Sequence, residues 1–490
     1  MSDDYEIIIG LEVHVQLATK TKLFCRCSTR FGAAPNTQTC PVCLGMPGSL
    51  PVMNREAFQL GLKTACALNL NVPRFTKWDR KNYYYPDLPK GYQISQFDLP
   101  MSEDGYLYIS DPKQQFEPKK VGIIRAHLEE DAGKSMHDEA AGKADTRVDL
   151  NRTGTPLLEI VSEPDMRSPL EAKAYLNELK LILTYLGVSD CNMQEGSLRV
   201  DANVNLHIKN DGPKKIATPI VEIKNMNSFR AVERAIAYEA ERQYDAWQED
   251  GKTIGDAPKQ TRGWDDQAQV TRPQREKEDS SDYRYFPEPD LAPVITTEEE
   301  VEAVQQSLCE LPMAIRERLQ DGFGIPAYDA DVIVNQGQVA VEYYEALALK
   351  TGDAKMASNW VQQDVLRILK ERDLEFEQFP ITVERLATLL KAIMDKEIDV
   401  TRAKDVFAQM LDSDKDAPAI MQEMGIEKVD DSAIDDLARE VLLANPKAVE
   451  DLKNGIQKAV GALIGQAKKK NPNIDPGTFR AKCLELVKDM

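Results

Sequence analysis

Four cysteines near the start of the chain constrain the local fold more than any other feature of the sequence. Cys25 lies close to Cys27, Cys40 lies close to Cys43, and twelve residues separate the two pairs. Two such pairs can supply four thiolates to a tetrahedral Zn²⁺ ion, which leaves no open coordination position for a substrate. We therefore predict a structural zinc knuckle at residues 24–45. The alternative is a loop with four reduced thiols. Disulfides are not expected here, because cytosolic proteins rarely contain them.

Hydrophobic periodicity divides the chain at a proline-rich stretch, residues 286–293. Proline fixes φ and stops regular structure, so we place a domain boundary here. Before the boundary, short β-rich runs predict a sheet, and residues 197–206 alternate like a strand with one buried and one polar face. The predicted strands are residues 5–9, 14–17, 107–109, 122–127, 148–150, 157–161, 197–206 and 219–223.

Helical patterns interrupt the predicted sheet twice and fill the chain beyond residue 293. Apolar residues at helical spacing predict a helix over residues 169–186, and Ser228 precedes a second pattern that runs to Arg242. Further along, Thr382 and Ser432 each precede an amphipathic pattern, as helix-capping residues do.

Together these patterns predict an α+β fold in three domains. A mixed or antiparallel sheet forms the first domain over residues 1–293, which contains the zinc knuckle. An all-α helical domain follows at residues 294–411, and an all-α tail domain at residues 412–490. A chain of 490 residues is too long for one ordinary core, which agrees with this division.

The composition is that of a soluble globular protein, with 42% hydrophobic and 29% charged residues. No run of about eighteen apolar residues occurs, so we expect no membrane span. The acidic start leads directly into a predicted strand, which argues against a signal peptide and for a cytoplasmic protein. Neither a P-loop nor a G-x-G-x-x-G or H-E-x-x-H pattern is present, so any nucleotide binds by another arrangement.

Charge is distributed unevenly along the chain. The net charge of −20 argues, by itself, against a polyanionic partner. Residues 446–490, however, hold nine Lys and Arg against five acids, so this segment carries +4 and the remainder carries −24. A basic tail on an acidic body can hold nucleic acid, although a solvated helix face explains the charge equally well.

A histidine and several acids occur in strand-like surroundings. Glu12 and His14 are two residues apart on a predicted strand and so point to one face. Glu129, Glu130 and Glu159 lie in similar short runs. Carboxylate oxygens suit Mg²⁺, which also binds substrate phosphates. The alternative for each acid is an exposed charge without function, and sequence spacing does not show that they converge.

Residues 79–93 combine basic and tyrosine side chains. Arg80, Lys81 and Lys90 can pair with phosphates, and rings such as that of Tyr83 offer stacking faces for a base. A tyrosine-rich turn that packs on the sheet is the alternative.

Eight long motifs make the chain recognisable. The motifs are IGLEVHVQ at 9–16, KNYYYP at 81–86, YQISQFD at 92–98, LEEDAGK at 128–134, DLNRTGTPLLEIVSEP at 149–164, EGSLRVD at 195–201, KNMNSF at 224–229 and DYRYFPEPD at 282–290. They resemble, in order, those of the GatB family, the B subunits of tRNA-dependent amidotransferases, and the resemblance runs from about residue 5 to the C-terminus.

The resemblance implies a cradle-like catalytic domain, a helical domain and a tail similar to the YqeY family. It also implies a heterotrimer with the amidase subunit GatA and the small subunit GatC. In that family the amidase releases ammonia from glutamine, and the GatB subunit uses ATP and Mg²⁺ to phosphorylate the side-chain carboxylate of Glu-tRNA(Gln) or Asp-tRNA(Asn). The alternative interpretation of this chain is a zinc-stapled tRNA-binding scaffold without chemistry of its own.

Carried over to this sequence, the family's Mg²⁺ site falls on His14, Glu129 or Glu130, and Glu159, with Glu12 beside them. Arg80, Lys81, Tyr83 and Lys90 are the candidates for ATP. The tail resembles the segment that meets the tRNA elbow, where small glycines admit the backbone and lysines meet phosphates. The tail residues carried over are Lys453, Gly455, Lys458, Gly461, Gly465 and Lys468.

Overall fold

The structure is a computed structural model that describes residues 4–137, 146–209, 216–274, 283–426, 431–453, 457–471 and 473–489. The chain forms two compact units, Met1–Ile315 and Arg316–Met490. The first unit is built on a large sheet and the second is helical. This agrees with the predicted α+β class, whereas the three-domain division stays a prediction.

Sixteen strands form within the described part of the first unit. They are β1 (Tyr5–Gln16), β2 (Phe75–Thr76), β3 (Asp79–Asn82), β4 (Tyr92–Ser95), β5 (Ser102–Ile109), β6 (Lys119–Glu130), β7 (Lys134–His137), β8 (Thr146–Asp149), β9 (Pro156–Ser162), β10 (Leu198–Ile208), β11 (Ile216–Ala217), β12 (Val221–Lys224), β13 (Gln260–Asp265), β14 (Val270–Pro273), β15 (Phe286–Pro287) and β16 (Val294–Ile295).

Nine of these strands make one sheet in the order β14-β13-β12-β10-β1-β9-β6-β5, with β11 beside β10. The pairs are antiparallel except for β12 and β13, so the sheet is mixed as predicted. A second sheet, β15-β3-β4, carries the tyrosine-rich segment.

The central strand β1 is a single strand, although the sequence predicts two short ones. Leu11, Val13 and Val15 are buried on one face, while Glu12 and His14 lie on the other, because side chains alternate along a strand. Gly10 leaves no break in the pairing with β10. The apolar face of β1 therefore belongs to the core and its polar face is available for a site.

Four helices accompany the sheet: α1 (Arg55–Ala67), α2 (Pro169–Tyr185), α3 (Phe229–Asp250) and α4 (Glu298–Gln306). The sequence analysis missed α1, which Asn54 caps by accepting from the amides of its first turn. Ser228 caps α3 as predicted, but the helix continues past Arg242 and ends at Gly251, whose φ of 65° terminates it.

One hydrophobic core joins α1, α2 and α3 to the apolar face of the sheet. Its fully buried members include Leu11, Leu62, Tyr175 and Ile236. Burying this face leaves the polar side chains of the central strands on the opposite surface. The core therefore fixes the relative positions of these polar groups.

Twelve α-helices of the described chain lie in the second unit or begin just before it. They are α5 (Pro312–Phe323), α6 (Ala327–Val334), α7 (Gln338–Thr351), α8 (Ala354–Trp360), α9 (Leu366–Arg372), α10 (Val383–Met394), α11 (Val400–Met410), α12 (Ala417–Glu423), α13 (Asp431–Ala444), α14 (Pro446–Lys453), α15 (Val460–Lys470) and α16 (Pro476–Asp489). A π-helical segment, Val361–Val365, joins α8 to α9.

The last four helices have a hydrophobic cluster of their own, with Leu463 and Phe479 fully buried in it. Thr382 caps α10 as predicted. Ser432 does not precede its helix, because α13 begins at Asp431 and Ser432 lies in the first turn. Within the described residues, no helix is long and apolar enough to cross a membrane.

Candidate active site

The polar face of the large sheet brings together three residues that are far apart in sequence. His14 on β1 lies directly opposite Glu159 on β9, and Glu129 is on the next strand, β6. His14 Nε2 is 3.5 Å from Glu159 Oε2 and 3.8 Å from Glu129 Oε1. One ligand atom from each residue lies within 4.8 Å of the others, as binding of one metal ion requires. We call these three residues the His14 cluster.

The two carboxylates of the His14 cluster fit the predicted type of metal, because Mg²⁺ binds through one or two carboxylates and keeps positions for water and substrate. The imidazole of His14 is a ligand that transition metals favour more than Mg²⁺ does. Burial opposes the charge on His14, but its hydrogen bond to Glu159 and the charges of both glutamates raise its pKa to about 9. The pKa of Glu159 is well below its usual range, because His127 and His14 outweigh the effect of burial.

Sequence analysis missed His127. It is 2% exposed, and its Nε2 lies 3.2 Å from Glu159 Oε2 and 3.9 Å from Glu129 Oε2. Its Nδ1 atom is buried and has no hydrogen-bond partner among the described residues. The available signal was strand periodicity, since His127 and Glu129 are two residues apart on β6.

Glu130 does not join the cluster, although the sequence left Glu129 and Glu130 as alternatives. Consecutive residues on β6 point to opposite faces, so Glu130 faces away from His14. Its carboxylate pairs with Lys90 and accepts a 2.8 Å hydrogen bond from the amide of Ile94. Lys90, a predicted phosphate ligand, is therefore held in a buried ion pair.

Glu12 lies in a second acidic group, with Asp201 on β10 and Glu222 on β12. Asn203 donates a 2.8 Å hydrogen bond to Glu12, and Lys224 pairs with both Asp201 and Glu222. Glu12 therefore lies one step along the strand from the His14 cluster rather than inside it. Acidic groups of this kind are common without a bound ion.

Of the predicted ATP residues, Lys81 is the one whose pKa is raised by both carboxylates of the His14 cluster. Burial opposes the charge on Lys81, but Glu129, Tyr285 and Glu159 raise its pKa overall. Its Nζ lies 4.9 Å from the centre of the Tyr283 ring and 5.8 Å from that of Tyr83. Lys81 therefore remains a cation at neutral pH, stabilised by the charges of Glu129 and Glu159.

Arg80 and Tyr83 differ in how free they are to meet a ligand. Arg80 makes two hydrogen bonds to the buried carboxylate of Glu288, at 2.6 and 2.8 Å, and stacks 4.2 Å above the Tyr92 ring. These contacts hold Arg80 in the structure. Burial raises the pKa of Tyr83, so its phenol is neutral and can donate a hydrogen bond.

The four predicted cysteine ligands converge. The Sγ atoms of Cys25, Cys27, Cys40 and Cys43 lie within 4.8 Å of one another, and all four thiols are free. The fully buried Lys22 places its Nζ 3.7 Å from Cys43 Sγ and donates to the carbonyl of Gln38. A hydrogen bond from Cys25 lowers the pKa of Cys43, and Lys22 lowers it further. Four sulfur donors with a buried counter-charge suit Zn²⁺.

The cysteine cluster is held by hydrogen bonds and packing to the turn that precedes β9, an interior strand of the sheet. Asn151 accepts from the amide of Gln38 and donates to the carbonyl of Ala34. Gly154 has a left-handed φ of 82°, and a β-carbon at this position would lie 3.6 Å from the β-carbon of Cys43. The loop around the cysteines therefore packs directly against the turn that leads into β9.

In the tail, Gly461, Gly465 and Lys468 all lie on α15. Both glycines face open space, and Lys468 is 3.5 Å from Asp399. Lys458 precedes α15 and Lys453 ends α14. Gly455 lies outside the described residues.

Comparison with known proteins identifies the family. Residues 7–302 match the GatB/GatE catalytic domain, and residues 342–485 match the GatB domain that follows it. The chain is 62% identical over 483 residues to the B subunit of the aspartyl/glutamyl-tRNA(Asn/Gln) amidotransferase from Rhodopirellula baltica, covering 99% of this chain and 97% of that protein.

Two more distant relatives carry the same description. The protein of Moorella thermoacetica is 51% identical, with 95% of this chain and 96% of the relative covered. The protein of Carboxydothermus hydrogenoformans is 47% identical, with 99% of this chain and all of the relative covered. Both domain matches and the near full-length identity lead to one conclusion: the chain belongs to the GatB family, the B subunits of aspartyl/glutamyl-tRNA(Asn/Gln) amidotransferases.

Proposed function

We propose that this chain activates the side-chain carboxylate of mischarged Glu-tRNA(Gln), Asp-tRNA(Asn) or both with ATP, and then amidates it with ammonia. In this proposal it works in the cytoplasm as part of a heterotrimer. The amidase subunit GatA releases the ammonia from glutamine, the ammonia is channelled to this chain, and the small subunit GatC completes the complex. The curated relatives named above are B subunits of such amidotransferases, which supports the proposal.

The His14 cluster is the observation that carries this proposal. Two carboxylates and an imidazole from three adjacent strands meet beside the cationic Lys81. Three ionisable groups held within 4.8 Å of one another on a partly buried surface favour a site with chemistry over a scaffold without it. Perturbed groups gathered on one surface are typical of a site that handles charge.

The chemistry requires two group transfers. A carboxylate oxygen of the aminoacyl group attacks the γ-phosphorus of ATP, and ADP leaves. Ammonia then attacks the carbonyl carbon of the acyl phosphate, the carbon–oxygen bond to phosphate breaks, and a proton leaves the nitrogen. Phosphate is a far better leaving group than the oxide of a free carboxylate, which is why the first step is needed.

His14, Glu129 and Glu159 would hold a Mg²⁺ ion, which would neutralise phosphate charge when bound. The residues of this chain orient the groups around it. His127 holds Glu159, and Lys81 attracts the anionic phosphates and carboxylate. The phenol of Tyr83, neutral at physiological pH, offers a hydrogen-bond donor next to Lys81.

We also propose a purely structural Zn²⁺ ion at Cys25, Cys27, Cys40 and Cys43. The four sulfur atoms leave no position for a substrate, and Lys22 offsets part of their negative charge. In the tail, the exposed backbone at Gly461 and Gly465 and the lysines at 453, 458 and 468 provide the surface for tRNA.

The test is Glu159→Gln in the complete heterotrimer, with Glu163→Gln as the matched control because Glu163 is exposed at the end of the same segment. Glu159→Gln is expected to abolish conversion of Glu-tRNA to Gln-tRNA while glutamine hydrolysis by the amidase continues. Without glutamine, hydroxylamine is expected to trap the acyl phosphate as a hydroxamate in the wild type and the control only. Normal amide formation by Glu159→Gln would remove the assignment of the metal site.

A further inference from the structure

The segment around the cysteine cluster has an unusual charge. Asp and Glu make up 81 of the 490 residues, yet residues 13–55 contain neither. Residues 13–78 hold eight Lys and Arg and the single acid Glu56, so this segment carries +7 and the remainder of the chain carries −27. The segment is therefore strongly basic on a chain that is acidic as a whole.

Four exposed cations of this segment, Lys20, Arg26, Arg30 and Arg55, lie on one loop and on the helix start that contacts it. Thr21 bridges to Ser28, so Lys20, Arg26 and Arg30 belong to one hairpin-like loop. Asn54 donates 3.0 Å to the carbonyl of Thr21, which brings the start of α1 to the same loop.

None of these cations is used within the described structure. Lys20, Arg26, Arg30 and Arg55 are all exposed, and none makes an ion pair with a described residue. Unpaired cations on an acidic protein attract a polyanion, since no neighbouring carboxylate competes for them.

Exposed rings accompany the charges. Phe31, next to Arg30, is 68% exposed, and Tyr84 in the tyrosine-rich turn is 80% exposed. Exposed aromatic rings are stacking platforms for unpaired bases. Single-stranded nucleic acid binds surfaces that combine basic side chains with exposed aromatic rings. An acidic protein partner would pair with the cations but would not require the rings.

The loop around the cysteines contacts the tyrosine-rich turn, residues 79–93. Gly45 packs so closely on Lys90 that a β-carbon there would lie 2.5 Å from Lys90 Cγ. Lys81 of the same turn is close enough to Glu129 and Glu159 of the His14 cluster for both carboxylates to raise its pKa. Gly91 in turn lies against the Tyr84 ring. The loop around the cysteines and the tyrosine-rich turn thus form one rim at this side of the sheet.

We propose that this rim, with Lys20, Arg26, Arg30 and Phe31, binds the unpaired 3′ end of the substrate tRNA and leads it to the His14 cluster. The inference rests on the proposed function, because that function requires the esterified 3′ end to reach the cluster. The cations meet the backbone phosphates and the rings of Phe31 and Tyr84 stack on bases. The cysteine cluster fixes the conformation of the loop that carries these cations.

The first test is the triple variant Lys20→Gln, Arg26→Gln and Arg30→Gln in the heterotrimer. We expect the KM for mischarged tRNA to rise about tenfold at low salt, with kcat at saturating tRNA and glutamine hydrolysis retained. Loss of three phosphate contacts to a single strand also makes the slope of log affinity against log salt shallower by about 2.

The matched control removes the same charge elsewhere. Lys113→Gln, Arg230→Gln and Lys355→Gln change three exposed cations outside the segment and are expected to leave both parameters at the wild-type values. If the two triple variants behave alike, the rim is not a tRNA surface. If the first variant instead loses its partner subunits on gel filtration, the surface is a protein interface and the inference is overturned.

A second measurement does not depend on folding of a variant. Wild-type heterotrimer is cross-linked by light to tRNA that carries 4-thiouridine in its unpaired 3′ end, and the attached peptide is identified by mass spectrometry. Cross-links within residues 20–55 or 83–91 support the inference, and cross-links confined to other segments overturn it. Amide formation by the same wild-type sample reports on the proposed function separately.

Discussion

The imidazole of His127 contacts the carboxylate of Glu159, one of the three proposed metal ligands. Its Nε2 lies 3.2 Å from Glu159 Oε2 in an almost fully buried setting. Side chains that orient metal ligands typically contribute 10- to 100-fold in affinity, and we expect His127→Ala to weaken Mn²⁺ binding by about that factor. Titration calorimetry or electron paramagnetic resonance of bound Mn²⁺ measures the effect without any assay of activity.

His207 offers the matched control for this prediction. It lies on β10 of the same sheet, outside the His14 cluster, so His207→Ala should keep the wild-type affinity for Mn²⁺. His127→Asn retains a hydrogen-bond donor and should recover part of the loss. An unchanged affinity in His127→Ala would mean that Glu159 is positioned by the sheet alone.

The eight cysteines should separate into distinct classes of reactivity. Burial raises the pKa of Cys191 and Cys483 to about 11, so at pH 7 to 8 these thiols are protonated and react slowly. With zinc bound, the four clustered thiols are protected as well. We expect a thiol reagent to label Cys66 and Cys309 first, and four further thiols only after a chelator removes the metal.

Mass spectrometry of labelled peptides checks this order, and metal analysis of the purified protein counts the zinc. Labelling of Cys191 should rise as the pH approaches 11, because the thiolate is the reactive form. Four clustered thiols that react at once without a chelator, in a protein that contains no zinc, would refute the zinc assignment.

At the residue scale, the sequence predicted which kinds of side chain form the site better than it predicted which of them contact one another. Glu12 and His14 do share a face, as the period of two requires. Choosing Glu129 over Glu130 depends on which face of β6 meets β9, and that register is set by pairing between distant strands. His127 was missed because a histidine on a strand has no local signature that separates a site residue from a core residue.

At the element scale, local chemistry predicted helix starts better than helix ends. Ser168, Ser228 and Thr382 each accept a hydrogen bond from the first turn of a helix predicted from the sequence. The predicted end of α3 came too early, because Gln243 interrupts the apolar pattern. In the structure Gln243 is buried, and its amide donates to the carbonyl of Val204. A polar residue satisfied inside the core is invisible to a count of apolar positions.

The cap of α3 provides a test at this scale. Ser228 Oγ accepts a 3.1 Å hydrogen bond from the amide of Ala231, and Ser228→Ala leaves that amide without its partner. We expect a loss of about 1 kcal/mol in the stability of the helix start, with Ser228→Asp retaining most of it. Hydrogen exchange of the first-turn amides of α3 measures the loss directly. Equal protection in Ser228→Ala and the wild type would contradict the assigned cap.

At the scale of the whole molecule, strand order lay beyond the sequence. β1 pairs with β10, which follows it by more than 180 residues, and with β9, which follows it by about 140. Patterns of apolar residues show that strands exist, but they do not show which strands are neighbours. The convergence of the His14 cluster depends on that order, so apolar patterns alone could not bring its members together, and only the family resemblance indicated that they meet.

The helical unit shows where a truncation should be made to test the tail. The last four helices bury their own cluster, including Leu463 and Phe479. By contrast, α12 packs on α10 and α11, and Arg385 donates to the carbonyls of Ser413 and Lys415. Removal of residues 412–490 therefore strips α12 from its neighbours, whereas removal of 427–490 leaves it in place.

We expect deletion of residues 427–490 to raise the KM for tRNA by about tenfold because phosphate contacts are lost. The melting temperature of the remaining chain should fall only slightly, because α12 keeps its neighbours and the contacts given up are polar ones such as that of Lys468 with Asp399. Deletion of residues 412–490 should raise the KM similarly and also lower the melting temperature, since Ile420 is 1% exposed in the intact unit and its neighbours on α10 and α11 would lose their cover. Thermal unfolding and steady-state kinetics of the two heterotrimers, measured side by side, separate the contribution to binding from the contribution to folding. If the shorter deletion leaves the KM unchanged, the tail does not bind tRNA, and the basic rim at the cysteine cluster becomes the main surface for it.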